Sequence, residues 1–66
     1  MDIRSYLEAN KISQSAFART VGVKQPTVHK WVHGLSLPDV RHARVIVEET
    51  KGTVTLNDMY LQDLDS

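Results

Sequence analysis

The strongest constraint on the fold is the stretch QSAFARTVGVKQPTVHKWVH at residues 14–33, which has a glycine near its middle. Before that glycine, Phe17, Ala18 and Val21 fall within one narrow arc at the roughly 100° per residue of an α-helix. Gly22 supplies the positive φ that ends a helix and lets the chain turn sharply. The stretch is therefore predicted to form two short amphipathic helices joined by residues 21–23.

The second of these helices has two chemically different sides. Val28, Trp31 and Val32 lie on one side, and Trp31 is interpreted as a core residue because of its two valine neighbours. The other side carries Gln25, Pro26, His29, Lys30 and His33. Amide, imidazole and ammonium groups on the outward face of a helix suit the edges of base pairs in a DNA major groove.

The charge distribution supports a nucleic-acid partner although the formal net charge is zero. Residues 11–44 have a net charge of +5, residues 45–66 have −4 and the first ten residues have −1. The basic side chains of the middle segment are Lys11, Arg19, Lys24, Lys30, Arg41 and Arg44. Such a dipolar chain has one part fit for phosphates. Arg19, Lys24, Arg41 and Arg44 are candidate phosphate contacts, with an ordinary solvated surface charge as the open alternative for each.

Other classes of function find little support in the sequence. Sixty-six residues make one small domain, and the absence of cysteine excludes disulfides and thiolate metal sites. His29 and His33 have the i, i+4 spacing of metal ligands, but a zinc site needs three or four ligands, so no metal or cofactor is expected. No catalytic motif is present, and neither a membrane span nor a signal peptide is predicted. A soluble intracellular protein that is not an enzyme is expected.

Five helices are predicted along the chain. Helix 1 covers residues 2–9 with Asp2 as a cap, Ser13 caps helix 2, and helix 3 runs from Lys24 to about His33, with Gly34 ending it. Helix 4 is predicted to start at Pro38, with the acidic Asp39 in its first turn. Its side toward the core is predicted to consist of Val40, Ala43, either Ile46 or Val47, and Thr50. Lys51-Gly52 closes helix 4, and the pair Thr55 and Asp58 predicts a short helix 5 through about Leu61.

Residues 45–56 leave two folds open. They could form a β-hairpin, since β-branched runs flank the Lys51-Gly52 turn. A helix is favoured because residues 38–44 start one and strand alternation is poor across residues 45–47. The predicted fold class is all-α with five short helices, and the alternative is α+β with a hairpin at 45–56. Residues 1–61 are predicted to form one domain with a dimerisation segment at about 53–64 and an acidic tail at 62–66.

The central motif resembles the helix-turn-helix of the Cro and repressor proteins of temperate bacteriophages and their prophage relatives. The resemblance rests on Gln14-Ser15, Ala18, Gly22-Val23, Gln25, Val28, Lys30 and Trp31-Val32. It is firm over residues 12–34 and continues more weakly through Leu37-Pro38 and residues 52–55, where it favours the all-helical Cro type. It implies a lambda-repressor-like DNA-binding fold.

The resemblance also implies roles for individual residues. Gln25, Pro26, Thr27, His29 and Lys30 occupy base-contacting positions, and Gln14, Ser15 and His33 occupy positions near the phosphate backbone. Pro26 departs from the family's usual small polar residue, so its contact is expected to be apolar, for example with a thymine methyl group. Thr27 lies at the edge of the inward arc, so a core-flanking role stays open beside base contact.

A dimer is expected because one recognition helix covers only a few base pairs. Val54, Leu56, Met59, Tyr60 and Leu61, with Leu64, carry more apolar surface than a short terminal helix needs, so the contact between copies is predicted there. The expected function is a repressor that binds a palindromic operator in double-stranded DNA as a homodimer, in the bacterial cytoplasm and at the nucleoid when bound. No small-molecule substrate is expected. The alternative is an antitoxin-like protein-interaction module of the same fold, favoured by the zero net charge and by Pro26.

Overall fold

The computed structural model describes residues 1–60, which fold into five helices with no strand among them. These are α1 (Ile3–Asn10), α2 (Gln14–Val21), α3 (Gln25–Val32), α4 (Val40–Glu49) and α5 (Leu56–Tyr60). The predicted all-α class is confirmed. The alternative of a hairpin at residues 45–56 is wrong: α4 continues to Glu49, because Ile46 packs inward as part of a helical stripe, and α5 begins at Leu56.

Side-chain caps begin four of the five helices. The Asp2 carboxylate accepts the backbone N–H of Ser5 at 2.7 Å, and the Ser13 hydroxyl accepts that of Ala16 at 3.0 Å, as predicted. The pair at the start of α5 is also confirmed, since Thr55 and Asp58 each accept the other's backbone N–H. These two capping bonds stabilise the five-residue helix α5 at its start.

Asp39 caps α4 from outside the helix, which corrects the prediction that it lies in the first turn. Its carboxylate accepts the backbone N–H of His42 at 3.1 Å and also contacts the His42 ring. The backbone N–H of His42, followed by its ring, holds the pKa of Asp39 below its usual value. Helix α4 therefore begins at Val40.

The core lies where α2 packs against α3 on one side and α4 on the other. Its buried members come from all five helices and the segment before α5: Ile3, Leu7, Phe17, Ala18, Val21, Val28, Trp31, Ala43, Ile46, Val54 and Met59. No helix in residues 1–60 is both long and apolar enough to cross a membrane.

The inward stripe of α4 is narrower than predicted. Ala43, Ile46 and Thr50 are buried, but Val40 is 67% exposed and Val47 is only partly buried. At about 100° per residue, Val40 and Val47 lie on the flank of the stripe, so the prediction that Val40 faces the core is wrong. Val40 and Val47 therefore form an apolar strip on the outer surface of α4.

Two of the predicted dimer residues belong instead to the core of the chain. Val54 is completely buried and Met59 is 2% exposed, so neither can contact a second copy in this fold. Tyr60 is half-buried, and its hydroxyl donates to the Pro38 carbonyl at 2.7 Å. Of the four predicted interface residues that the structure describes, only Leu56 is exposed; Leu61 and Leu64 lie outside the described residues.

Thr50 is the buried polar residue that joins α4 to the segment before α5. Its hydroxyl donates to the Ile46 carbonyl at 2.8 Å and accepts the backbone N–H of the buried Val54 at 3.1 Å. Thr50→Val is expected to lower the free energy of unfolding by about 1–3 kcal/mol, because it leaves that N–H buried without a partner. Urea denaturation measures the loss. Thr50→Ser keeps the hydroxyl and is expected to cost less; equal losses would contradict a role for the hydrogen bond.

Candidate nucleic-acid interface

One carbonyl, that of Ala18, accepts both backbone hydrogen bonds that hold the turn between α2 and α3. The backbone N–H groups of Gly22 and Val23 both donate to the Ala18 carbonyl, at 2.8 and 2.9 Å. Gly22 has φ +91°, the left-handed conformation that glycine adopts without steric cost. Ala18 is buried, and its small side chain lets the two helices approach closely. The link therefore fixes the position of α3 relative to α2.

Gly22→Ala is expected to destabilise the domain through backbone conformation alone. A Cβ atom at this position would meet no atom within 4 Å, so no steric overlap contributes. An L-residue in the left-handed region costs about 1–2 kcal/mol, which thermal denaturation would detect as a lower Tm. Gly22→Asn is the control, because asparagine tolerates this conformation better and should cost less. An alanine variant as stable as the parent would contradict the requirement for positive φ.

Helix α3 presents a polar face to solvent. Val28 and Trp31 are buried and Val32 is half-buried, which confirms the predicted inward side. The residues predicted to contact bases are all accessible: Gln25, Pro26, His29 and Lys30 are exposed and Thr27 is partly exposed. The core thus holds α3 by one side, and the other side is available to a ligand.

The two glutamines at the starts of α2 and α3 are bonded to each other. The side-chain Nε2 of Gln25 donates to the Oε1 of Gln14 at 2.8 Å. This bond leaves Gln25 with one amide N–H and its Oε1, which are the donor and acceptor that the N7 and N6 of adenine require. It also leaves both amide N–H groups of Gln14 available to a phosphate oxygen.

His29 and His33 form a second close pair on the exposed side of this region. Their ring centroids are 4.2 Å apart, with His29 on α3 and His33 as the residue that ends it. Within residues 1–60, no group of three histidine, cysteine or acidic side chains is arranged to hold a metal ion. Ring nitrogens on an exposed helix face can donate to or accept from base edges and phosphates.

Helix α3 differs from the other four helices at its N-terminus. The residue at its cap position is Lys24, which makes no side-chain hydrogen bond to the helix, and Pro26 lies in the first turn. The other helices each begin with a side-chain oxygen as acceptor. The positive end of the α3 dipole and the Lys24 ammonium are therefore both unscreened by an acceptor side chain.

The basic side chains of residues 11–44 are exposed and make no ion pair with the described residues. The ion pairs in residues 1–60 join the Met1 ammonium to Asp58, Arg4 to Glu8, and His42 to Asp39. Arg19 lies in the last turn of α2, and Lys24 precedes α3. Positive charge is thus available close to both helices of the central motif.

A family model described as helix-turn-helix matches residues 3–56, which is 54 of the 66 residues. The chain belongs to this family. The family is that of lambda repressor- and Cro-like domains, which are not typically enzymatic, so the protein is a DNA-binding helix-turn-helix regulator. Searches of curated proteins and of solved structures gave no significant match.

The helix-turn-helix match extends the resemblance found in the sequence. That resemblance was firm only over residues 12–34, whereas the family match begins in α1 and ends at the first residue of α5. All four preceding helices thus belong to the family's domain. In this helix-turn-helix, α2 and α3 are the two helices of the motif, and α3 is the second, which in such motifs enters the major groove.

The fold brings together two predicted site residues that no sequence pattern relates. Gln14 and Gln25 are eleven positions apart, and no helical periodicity relates them. Their contact depends on how α2 and α3 cross, so the useful signal is that each is the first residue of its helix. Ser15, Arg19 and Lys24 are exposed near these helices but are not bonded to the glutamine pair.

Proposed function

We propose that this helix-turn-helix domain is a sequence-specific transcriptional repressor of the Cro type, which binds a palindromic operator as a homodimer with α3 in the major groove. The observation that carries the proposal is the exposed polar face of α3, which the core holds through Val28 and Trp31. Repression would follow from occupying promoter DNA and excluding polymerase. The resemblance to phage proteins suggests a phage or prophage regulator.

Each exposed residue of α3 has a contact that suits its chemistry. Gln25 can bond both N6 and N7 of an adenine while keeping its bond to Gln14. The Lys30 ammonium can donate to O6 and N7 of a guanine. Pro26 offers only apolar contact, such as with a thymine methyl group, and Thr27 and His29 can bond either base edge. We assign base contact to these five residues.

Phosphate contacts would fix α3 in the groove. Gln14 and Ser15 lie in the first turn of α2, and the Gln14 amide has two free donors. Lys24 lies at the uncapped N-terminus of α3, where the helix dipole also favours an anion. Arg19 and His33 are exposed at the C-terminal ends of the two helices. We assign phosphate contact to these five residues.

The dimensions of the domain are compatible with two copies side by side on DNA. Its principal extents are 29 × 23 × 23 Å, whereas recognition helices of a dimer lie about 34 Å apart, one turn of the duplex. Two domains on consecutive major grooves, with their long axes along the DNA, would therefore lie only about 5 Å apart. Because two copies must bind together, operator occupancy would depend steeply on protein concentration.

A mobility-shift titration against a pool of duplexes tests the proposal. We expect a sequence-selective shift whose affinity falls by about a thousandfold or more between roughly 50 and 200 mM salt, if the dimer neutralises six or more phosphates. The control is the same titration with competitor DNA of random sequence. A shift without sequence preference, or none at all, would contradict repression and favour the antitoxin-like interaction module.

A further inference from the structure

We infer that two copies of the chain associate through the outer face of α4 and the start of α5. This surface, called here the α4–α5 patch, is a shallow depression lined by Arg44, Val47, Glu48, Thr55, Leu56 and Asn57. The inference rests on the proposed dimeric repressor and identifies the surface that joins its two copies. It keeps Leu56 from the interface predicted from the sequence, but not Val54 and Met59, which are buried in the core.

The centre of the α4–α5 patch is apolar and exposed. Leu56, the first residue of α5, is 46% exposed, and the neighbouring Val47 is only partly buried. Val40 is two turns earlier on the same flank of α4 and is 67% exposed. Apolar side chains grouped on one flank of a helix mark a contact surface more than single scattered ones do.

The charges of the patch complement themselves. Arg44 and Glu48 are four residues apart on α4, so they lie on one face of the helix. Both are exposed, and neither makes an ion pair with any described residue. In a two-fold symmetric interface every contact occurs twice, so if Arg44 of one copy contacts Glu48 of the other, Glu48 of the first also contacts Arg44 of the second. Two antiparallel α4 helices would therefore pair Arg44 of each copy with Glu48 of the other.

This arrangement favours a second copy of the chain over other occupants. DNA would be repelled by Glu48, and a partner of uniform charge would meet one side chain of its own sign. A second copy meets an apolar centre and two opposite-charge pairs. No residue of α3 lines the patch, so association through it leaves the polar face of α3 free for DNA.

Charge exchange between copies provides the sharpest test. Arg44→Glu gives two acidic residues per patch and Glu48→Arg gives two basic ones, so each variant alone should repel itself. We expect each variant alone to raise the Kd of self-association about tenfold or more in sedimentation equilibrium without DNA. Mixed in equal amounts, the two variants should form a heterodimer of near parental affinity, because both of its cross-pairs are attractive. Variants that associate as the parent does, or a mixture that stays monomeric, would overturn the inference.

The apolar centre is tested with a matched pair of substitutions. Leu56→Asp is expected to raise the self-association Kd about tenfold or more, because it places a charge in the middle of the contact. Leu35→Asp is the control, since Leu35 is 71% exposed and lies outside the patch. Equal effects of the two substitutions, or none from Leu56→Asp, would overturn the inference.

Binding to a single half-site separates this inference from the proposed function. Leu56→Asp should bind a duplex with one half-site as the parent does, because one copy suffices there. Failure of the parent to bind any sequence selectively would contradict the repressor proposal even if the patch associates. If the parent binds DNA selectively but stays monomeric at high protein concentration, the inference about the α4–α5 patch is wrong while sequence-selective DNA binding stands.

Discussion

Trp31→Ala is expected to remove most of the stability of the domain. The Trp31 side chain is 7% exposed in the core, and its ring centroid lies 6.3 Å from that of His42 on α4. Truncating a buried tryptophan to alanine costs about 3–5 kcal/mol. A domain of this length has only about 3–10 kcal/mol in total, so the variant should be partly unfolded at 25 °C. Urea denaturation followed by circular dichroism gives the loss.

Trp31→Phe is the control for this substitution. Phenylalanine refills part of the cavity and should recover a large part of the stability, since the loss comes from packing rather than from a specific hydrogen bond. A Trp31→Ala variant with a Tm within a degree or two of the parent would mean that the inward side of α3 is assigned wrongly. The assignment of its outward side to DNA would then be wrong as well.

Lys30→Ala is expected to have the opposite effect, although Lys30 is the adjacent residue in the chain. Lys30 is exposed on the polar face of α3 and makes no ion pair with the described residues. Losing a direct base contact costs about 1–3 kcal/mol, or roughly 5- to 150-fold in affinity for the preferred duplex. The Tm should be unchanged. Fluorescence anisotropy with labelled DNA measures the affinity, and calorimetry measures the Tm.

Lys51→Ala separates a specific contact from a change in net charge. It removes the same charge from the turn after α4, which lies outside the helix-turn-helix motif. We expect it to weaken DNA binding much less than Lys30→Ala does. If both substitutions reduce affinity equally, the effect of Lys30 is only long-range electrostatic attraction and its assignment to a base is wrong.

The features predicted correctly from the sequence are those set by local chemistry. The Ser13 cap and the turn at Gly22 each depend on contacts within a few residues, which the sequence contains directly. The two sides of α3 follow from helical periodicity in the same way. The helix at residues 45–49 was harder, because Val45-Ile46-Val47 also suits a strand and burial of Ile46 against other helices decides between them.

The features missed depend on contacts between distant parts of the chain. Val54 and Met59 are apolar in the sequence, but the sequence does not tell whether they pack in the core of their own chain or against a second copy. Val54 packs in its own core because the Thr50 hydroxyl accepts the backbone N–H of Val54 there. The Gln14–Gln25 bond likewise depends on the crossing of two helices. The burial of Val54 and Met59 moves the proposed dimer surface to the α4–α5 patch, and the glutamine bond links the starts of α2 and α3.

Selection of bound sites from a pool of random duplexes tests the central claim most directly, since the operator sequence need not be known beforehand. We expect enrichment of an inverted repeat whose half-site centres lie about 10 base pairs, or a multiple of that, apart. Gln25→Ala should relax the preference at one position in each half-site, because it removes one bidentate contact. A pool that remains unenriched, or a consensus that Gln25→Ala leaves unchanged, would contradict sequence recognition by α3.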